Sequence, residues 1–215
     1  AGIDPGEIDM NLLMRKYRIL EVYFKIYPVC RHLHSSIDAS LNIIREKQIH
    51  PMEIQKMMVN TYKIAAEHDN YHPTSTESLK QSLPASIAVA LLNEYHGLNN
   101  LTGFQCPPDN KDLAVEISLL SQKITVRTDD VFDENYPTSR SSKVTIFTDK
   151  GFYEQLVEFP YGEAENPLNK MDMEGKFENL NPKLDIEVLQ IIDNMESYDS
   201  INYFMDDLNS FLVSN

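Results

Sequence analysis

Apolar residues recur at helical spacing in residues 8–24, through Leu12, Leu13, Tyr17 and Leu20. They do so again in residues 28–47, where Leu33, Ile37, Leu41 and Ile44 form one stripe. Tyr27-Pro28 separates the two predicted helices, and Pro28 suits a first helical turn because its missing N–H is no loss there. Residues 1–9, with Gly2, Pro5 and Gly6, read as a linker, and His50-Pro51 stops the second helix. Residues 54–66 change character: Val59, Thr61, Tyr62 and Ile64 predict a strand. His72-Pro73-Thr74-Ser75-Thr76 reads as a loop. Ser82-Leu83-Pro84 then opens a helix to residue 94, which His96-Gly97 ends. A helix over 112–121 leads into a strand over 123–127, with Ile124 and Val126 alternating.

Residues 143–159 give the clearest hairpin, turning at Asp149-Lys150-Gly151. An acidic, turn-rich connector over 160–167 follows. Helices are then predicted over 170–180, 185–196 and 200–213, with Asp185 and Ser200 as N-caps. The resulting class is α+β, with a small mixed α/β domain inserted between helices of an incomplete all-helical domain. The expected division is residues 1–50 joining the helical layer, 51–160 forming the inserted domain, and 161–215 returning to the helical layer. The helices at the two ends would pack together and would need a further partner to close a bundle.

The chain has 215 residues and a formal net charge of −14. No long basic run is present, so neither nucleic acid nor an anionic membrane is an expected partner. No apolar run is long enough to span a bilayer and no signal-peptide pattern opens the chain, so a cytoplasmic protein is expected. Cys30 and Cys106 lie far apart in sequence, and reduced thiols are the expected state.

Chemistry concentrates in residues 24–34, where Lys25, Cys30, Arg31, His32 and His34 surround Pro28. A helix from Pro28 would put Cys30, His34 and Asp38 on one face with Arg31 beside them. The dipole at its N-terminus favours anions, so this is a place to hold an organic acid. His34 titrates near neutral pH and is the candidate for proton transfer. His32 and His34 point too far apart on a helix to share a metal. A metal hydrolase using His68 and His72 is the weakest alternative, because Pro73 argues for a loop there. For Arg31, a purely stabilising pair with Asp38 or Glu21 stands level with a role in the site. The acidic runs at 129–134 and 163–165 read as solvated turns, and Cys106 as incidental.

These residues form part of a longer set of landmarks. Lys25-x-Tyr27-Pro28-x-Cys30-Arg31-His32-x-His34 is followed by Ile37-Asp38-Ala39, then by Ser82-Leu83-Pro84 with Ala88-Val89-Ala90-Leu91-Leu92. Tyr136-Pro137-x-x-Arg140, Asp149-x-Gly151, Pro160-x-Gly162 and Asn166-Pro167-Leu168 complete it, with Phe177 in the next helix. In this order and spacing the chain resembles the C-terminal half of the MmgE/PrpD family, which includes 2-methylcitrate dehydratase, cis-aconitate decarboxylase and iminodisuccinate epimerase.

The resemblance implies an all-helical domain with a smaller α+β lid, an active site between them, a homodimer, and no metal or other cofactor. It implies a lyase or isomerase that removes a proton next to a carboxylate of a small di- or tricarboxylate. It implies Lys25 as a carboxylate-binding or proton-transfer residue, with Cys30 and Arg31 lining the pocket. It further implies that the family's N-terminal helical domain, the source of most acid–base residues, has no counterpart here and must be supplied as a partner. In the family a tyrosine commonly follows the proline of the Ser-x-Pro helix start; Ala85 stands there in this chain. That departure supports the alternative of a non-catalytic interaction or structural module.

Overall fold

The computed structural model describes residues 17–98, 104 and 111–214. The linker expected over 1–9, most of the first predicted helix and Cys106 lie outside the described residues. The tail of that predicted helix is not α-helical: Arg18–Glu21 is a short 3-10 turn, and residues 22–25 run without regular structure.

Four strands form one mixed sheet in the order β2-β1-β3-β4. They are β1 (Lys56–Thr61), β2 (Ile124–Thr128), β3 (Ser142–Thr148) and β4 (Gly151–Val157). Strand β1 runs parallel to β2, with Val59 opposite Val126, and antiparallel to β3, with Val59 opposite Val144. Strands β3 and β4 are the predicted hairpin, and Gly151 at its turn takes φ +132°. Period-2 alternation puts Met57, Val59, Val144 and Ile146 on the covered face.

That face is covered by α1 (His34–Lys47) and α4 (Leu83–His96), which also pack on each other. Helix α1 was expected to join a separate helical layer, yet it lies on β3 and β4 as part of the α+β core. It also starts six residues later than predicted. Residues 26–29 form a bend and Arg31–Leu33 a 3-10 turn, so Cys30 precedes the helix instead of sharing its face. Both sides of α1 are buried, including Ser35, Ser36 and Ser40. Ser35 donates to the Arg140 carbonyl and Ser40 to the Ser36 carbonyl, while Ser36 heads a relay: it donates to Ser142 at 2.9 Å, Ser142 to Thr61 at 2.7 Å, and Thr61 to the Ser141 carbonyl at 3.0 Å. Buried hydroxyls need such partners, and here they fix α1 over β1 and β3.

Helix α4 begins and ends as predicted: Ser82 Oγ accepts from the Ala85 N–H at 3.1 Å, and Gly97 takes φ +66° at the C-terminus. Between β1 and α4 the chain makes α2 (Lys63–Ala66), so the predicted strand ends at Thr61, then a loop and α3 (Thr76–Lys80). Helix α5 (Lys111–Ser121) precedes β2. The acidic run expected as a solvated turn is a helix, α6 (Asp130–Asn135), capped by Asp129 accepting from the Val131 N–H at 3.1 Å. After the hairpin come α7 (Lys170–Leu180), α8 (Val188–Asp193) and α9 (Ile201–Ser214), with α8 shorter than expected. Helices α8 and α9 pack on each other around Val188 and Phe204.

Candidate functional site

The segment before α1 and the strap after β4 meet. The Phe24 N–H donates to the Gly162 carbonyl at 2.8 Å, and the Tyr161 N–H donates to Asp38 Oδ2 at 2.7 Å. Asp38 also accepts from the Tyr27 hydroxyl at 2.7 Å, so it clamps both segments to α1. Burial raises the Asp38 carboxyl above its usual range despite these donors, and burial pushes the Tyr27 phenol well up.

Arg31 does not pair with Asp38. It is 6% exposed and forms its ion pair through Nη2 with Glu163 Oε1, which also takes Arg140 Nη1 at 3.1 Å. The Arg31 guanidinium lies 4.5 Å from the centroid of Tyr23. Burial lowers its affinity for a proton, and Glu163 opposes that. One carboxylate thus serves two guanidiniums, and Nε and Nη1 of Arg31 and Nε of Arg140 are buried without a hydrogen-bond partner among the described residues. Buried donors left this way are costly, and an acceptor group is what would satisfy them.

Lys25 is exposed, one residue beyond the Phe24–Gly162 contact, and its carbonyl accepts from Lys176 Nζ at 2.8 Å. Its charge reaches both His32 and His34. His34 is the clearest departure from expectation. It sits in the core at 0% exposure, 5.2 Å from the Tyr27 ring, with its nitrogens near the Val29 and Tyr27 carbonyls but without a well-aligned hydrogen bond. Burial, then Arg31 and Lys25, lower its pKa to about 3. It is therefore a neutral core residue at pH 7, enclosed away from solvent.

His32, expected to be structural or exposed, occupies the centre of the polar cluster. Its Nδ1 lies 2.7 Å from the Tyr62 hydroxyl, and its ring neighbours those of His68 at 5.9 Å and Tyr136 at 6.0 Å. Tyr62 and Tyr136 stack at 4.9 Å, and Arg140 lies 5.9 Å from the Tyr136 centroid. Burial is the main cause lowering the His32 pKa, followed by His68, Arg140, Arg31 and Lys25. The charges of Arg140, Arg31 and Lys25 therefore all bear on one imidazole, in a chain whose net charge is −14. Burial also holds the Tyr62 phenol well above its ordinary pKa.

Cys30 is half-buried and free, with Sγ 3.7 Å from His68 Nε2; His68 Nδ1 lies 2.8 Å from the Gln81 carbonyl. His68 thus faces Cys30. His72 belongs to the same loop, with its backbone N–H donating to Asn70 Oδ1 at 3.0 Å. Among the described residues no group of three or more His, Cys, Asp or Glu side chains is arranged to hold a metal ion. Ala85 is buried in the core at the first turn of α4. Among the described residues no neighbouring hydroxyl takes the place of the missing phenol: the buried Ser86 Oγ donates to the Leu79 carbonyl at 2.9 Å, and the Tyr95 ring packs on His50 at 3.9 Å at the far end of α4.

Beside Arg140 and Glu163 lies an open groove of about 320 Å³, bounded by Leu20, Pro137, Thr138 and Phe159. Glu163, Tyr62 and Tyr136 are the cluster residues that residue-by-residue reading missed, and His68 was singled out only for a metal. Tyr136 and Arg140 stood among the landmarks, but nothing local distinguishes Glu163 from the other acids of its connector.

No helix among the described residues is long and apolar enough to cross a membrane. The sequence model of the MmgE/PrpD C-terminal domain matches residues 27–195, which spans most of the chain and nearly all of the cluster. No curated protein gives a significant match to the chain.

Proposed function

This chain belongs to the MmgE/PrpD family, and from that premise we propose that it forms the carboxylate-binding part of a cofactor-independent lyase or isomerase. The substrate is a small di- or tricarboxylate, as for 2-methylcitrate dehydratase. The observation that carries this reading is the buried Arg31, whose Nη2 pairs with Glu163 while its Nε and Nη1 have no hydrogen-bond partner among the described residues. Proton removal next to a carboxylate develops negative charge on the carboxylate oxygens. Fixed cations stabilise that charge more in the transition state than in the ground state.

In this reading Lys25 and Arg31 hold substrate carboxylates and Cys30 lines the pocket. Lys25 can also return a proton, being exposed at the edge of the cluster. His34 contributes by position, as a neutral buried support under Arg31. The principal base comes from a helical domain outside these residues, and the assembled protein is a cytoplasmic homodimer. The chain alone then binds carboxylates without turning them over.

A second reading, a non-catalytic module, is favoured by one observation: Ala85 buries a methyl where the family commonly places an active-site phenol. Proton NMR in D₂O with methylcitrate, citrate, cis-aconitate and an iminodisuccinate precursor separates the two. Broadened or shifted ligand signals without turnover support a carboxylate site awaiting its base. Turnover or deuterium exchange would place the whole site within this chain. Unchanged spectra for every acid at millimolar concentration would refute the carboxylate reading.

A further inference from the structure

We propose that Cys30 is a nucleophilic thiol, activated by His68, that adds to unsaturated carboxylates held by the neighbouring cations. The proposal rests on the carboxylate reading above for its choice of electrophile and on independent geometry for the thiol.

The geometry is that of a base with a fixed tautomer. A carbonyl oxygen only accepts hydrogen bonds, so His68 Nδ1, 2.8 Å from the Gln81 carbonyl, carries the ring proton. The bare nitrogen is then Nε2, which faces Cys30 Sγ at 3.7 Å. The ring is held on a second side by its stack with His32 at 25° between planes. Nucleophile, base and orienting group thus stand in sequence. Both Cys30 and His68 are half-buried, so neither residue is sealed in the core. Cys30 is unpaired and its backbone is pinned, its N–H donating to the Lys80 carbonyl at 2.8 Å. Arg31 follows it directly, paired with Glu163 through Nη2 while its buried Nε and Nη1 have no hydrogen-bond partner among the described residues.

The electrophile class follows from the proposed chemistry. Loss of water from a hydroxy-acid leaves a carbon–carbon double bond conjugated to a carboxylate. His68 Nε2 takes the thiol proton, and the sulfur electron pair forms a bond to the β-carbon. The π pair moves to the α-carbon and its carboxylate, where Arg31 or Lys25 offsets the charge. His68 then returns the proton to the α-carbon. The net change is addition of S–H across C=C, with a thioether formed and no oxidant or second reactant required. The adduct would leave the acid anchored in the cation cluster, so the site is open to inactivation by its own class of product.

The test uses the full chain with Cys106→Ser, which leaves Cys30 as the single thiol. Iodoacetamide, which is neutral, reports thiol activation; fumarate, a dianion, reports carboxylate guidance. Peptide mapping by mass spectrometry gives the rate of each at pH 7, against a short cysteine peptide. Expected is alkylation of Cys30 at least about tenfold faster than of the peptide, falling about tenfold in His68→Asn. Asn keeps a donor for the Gln81 carbonyl, and circular dichroism checks the fold of that variant. Lys25→Ala, a surface change, is expected to slow fumarate more than iodoacetamide. Peptide-like rates in the parent chain, or rates indifferent to His68→Asn in a folded variant, would overturn the proposal whatever the NMR shows. Fast, His68-dependent alkylation by iodoacetamide with no addition of fumarate would overturn the addition step and count against the carboxylate reading, while leaving an activated thiol in place.

Discussion

Arg31 and Glu163 form a buried ion pair that ties the turn ahead of α1 to the strap behind the hairpin. Removing one partner of such a pair strands the other without water or a counter-charge, typically at a cost of about 3–5 kcal/mol. Glu163→Ala should therefore destabilise the chain by about 3 kcal/mol or more. Urea unfolding measures it. A loss under about 0.5 kcal/mol would mean that solvent already relieves Arg31.

Gly162→Ala should loosen the same junction. Gly162 takes φ +98°, and a Cβ there would lie 2.0 Å from the Phe24 carbonyl oxygen. Neither the conformation nor the space admits a side chain. A loss of about 2 kcal/mol is expected, with faster proteolysis around residues 17–25. A protection pattern like that of the parent chain would show that the strap can shift without releasing the segment.

Acid should weaken the fold through His34. The folded chain holds it neutral down to about pH 3, whereas in the unfolded chain it takes a proton near pH 6.5. Between those values the unfolded state binds more protons, so stability falls as pH falls, by up to about 1.4 kcal/mol per unit. Asp38, raised by burial, acts in the opposite sense at the acid end. His34→Leu should flatten the decline between pH 6 and 4 in thermal melts. An unchanged slope would assign acid sensitivity to other groups.

Lys25→Ala tests the site and not the fold. The side chain is exposed, so the melting temperature should stay within about a degree or two. In the assembled enzyme proposed above, turnover should fall about 100-fold, the scale for losing one group that stabilises developing charge. Parent-like kinetics would remove Lys25 from the reaction.

Much of this architecture was legible in the sequence. Period-2 alternation through Val144 and Ile146 with Gly151 fixed the hairpin, and Ser82 with Gly97 fixed both ends of α4. Such features are local: alternation, caps and turns depend on residues a few positions apart. The landmarks around Tyr27-Pro28 and Cys30-Arg31-His32 also pointed to the family before any packing was known.

Partner choice was not local, and the tertiary structure decided it. The later start of α1 moved Cys30 off the helix toward His68 and carried His34 into the core. The strap brought Glu163 to Arg31 from a connector that reads as solvated. The sheet order set Tyr62, at the end of β1, beside His32 and Tyr136. Periodicity determines which residues turn inward. Which charges, thiols and imidazoles then meet depends on how elements far apart in the chain pack, and burial among those neighbours sets their chemistry.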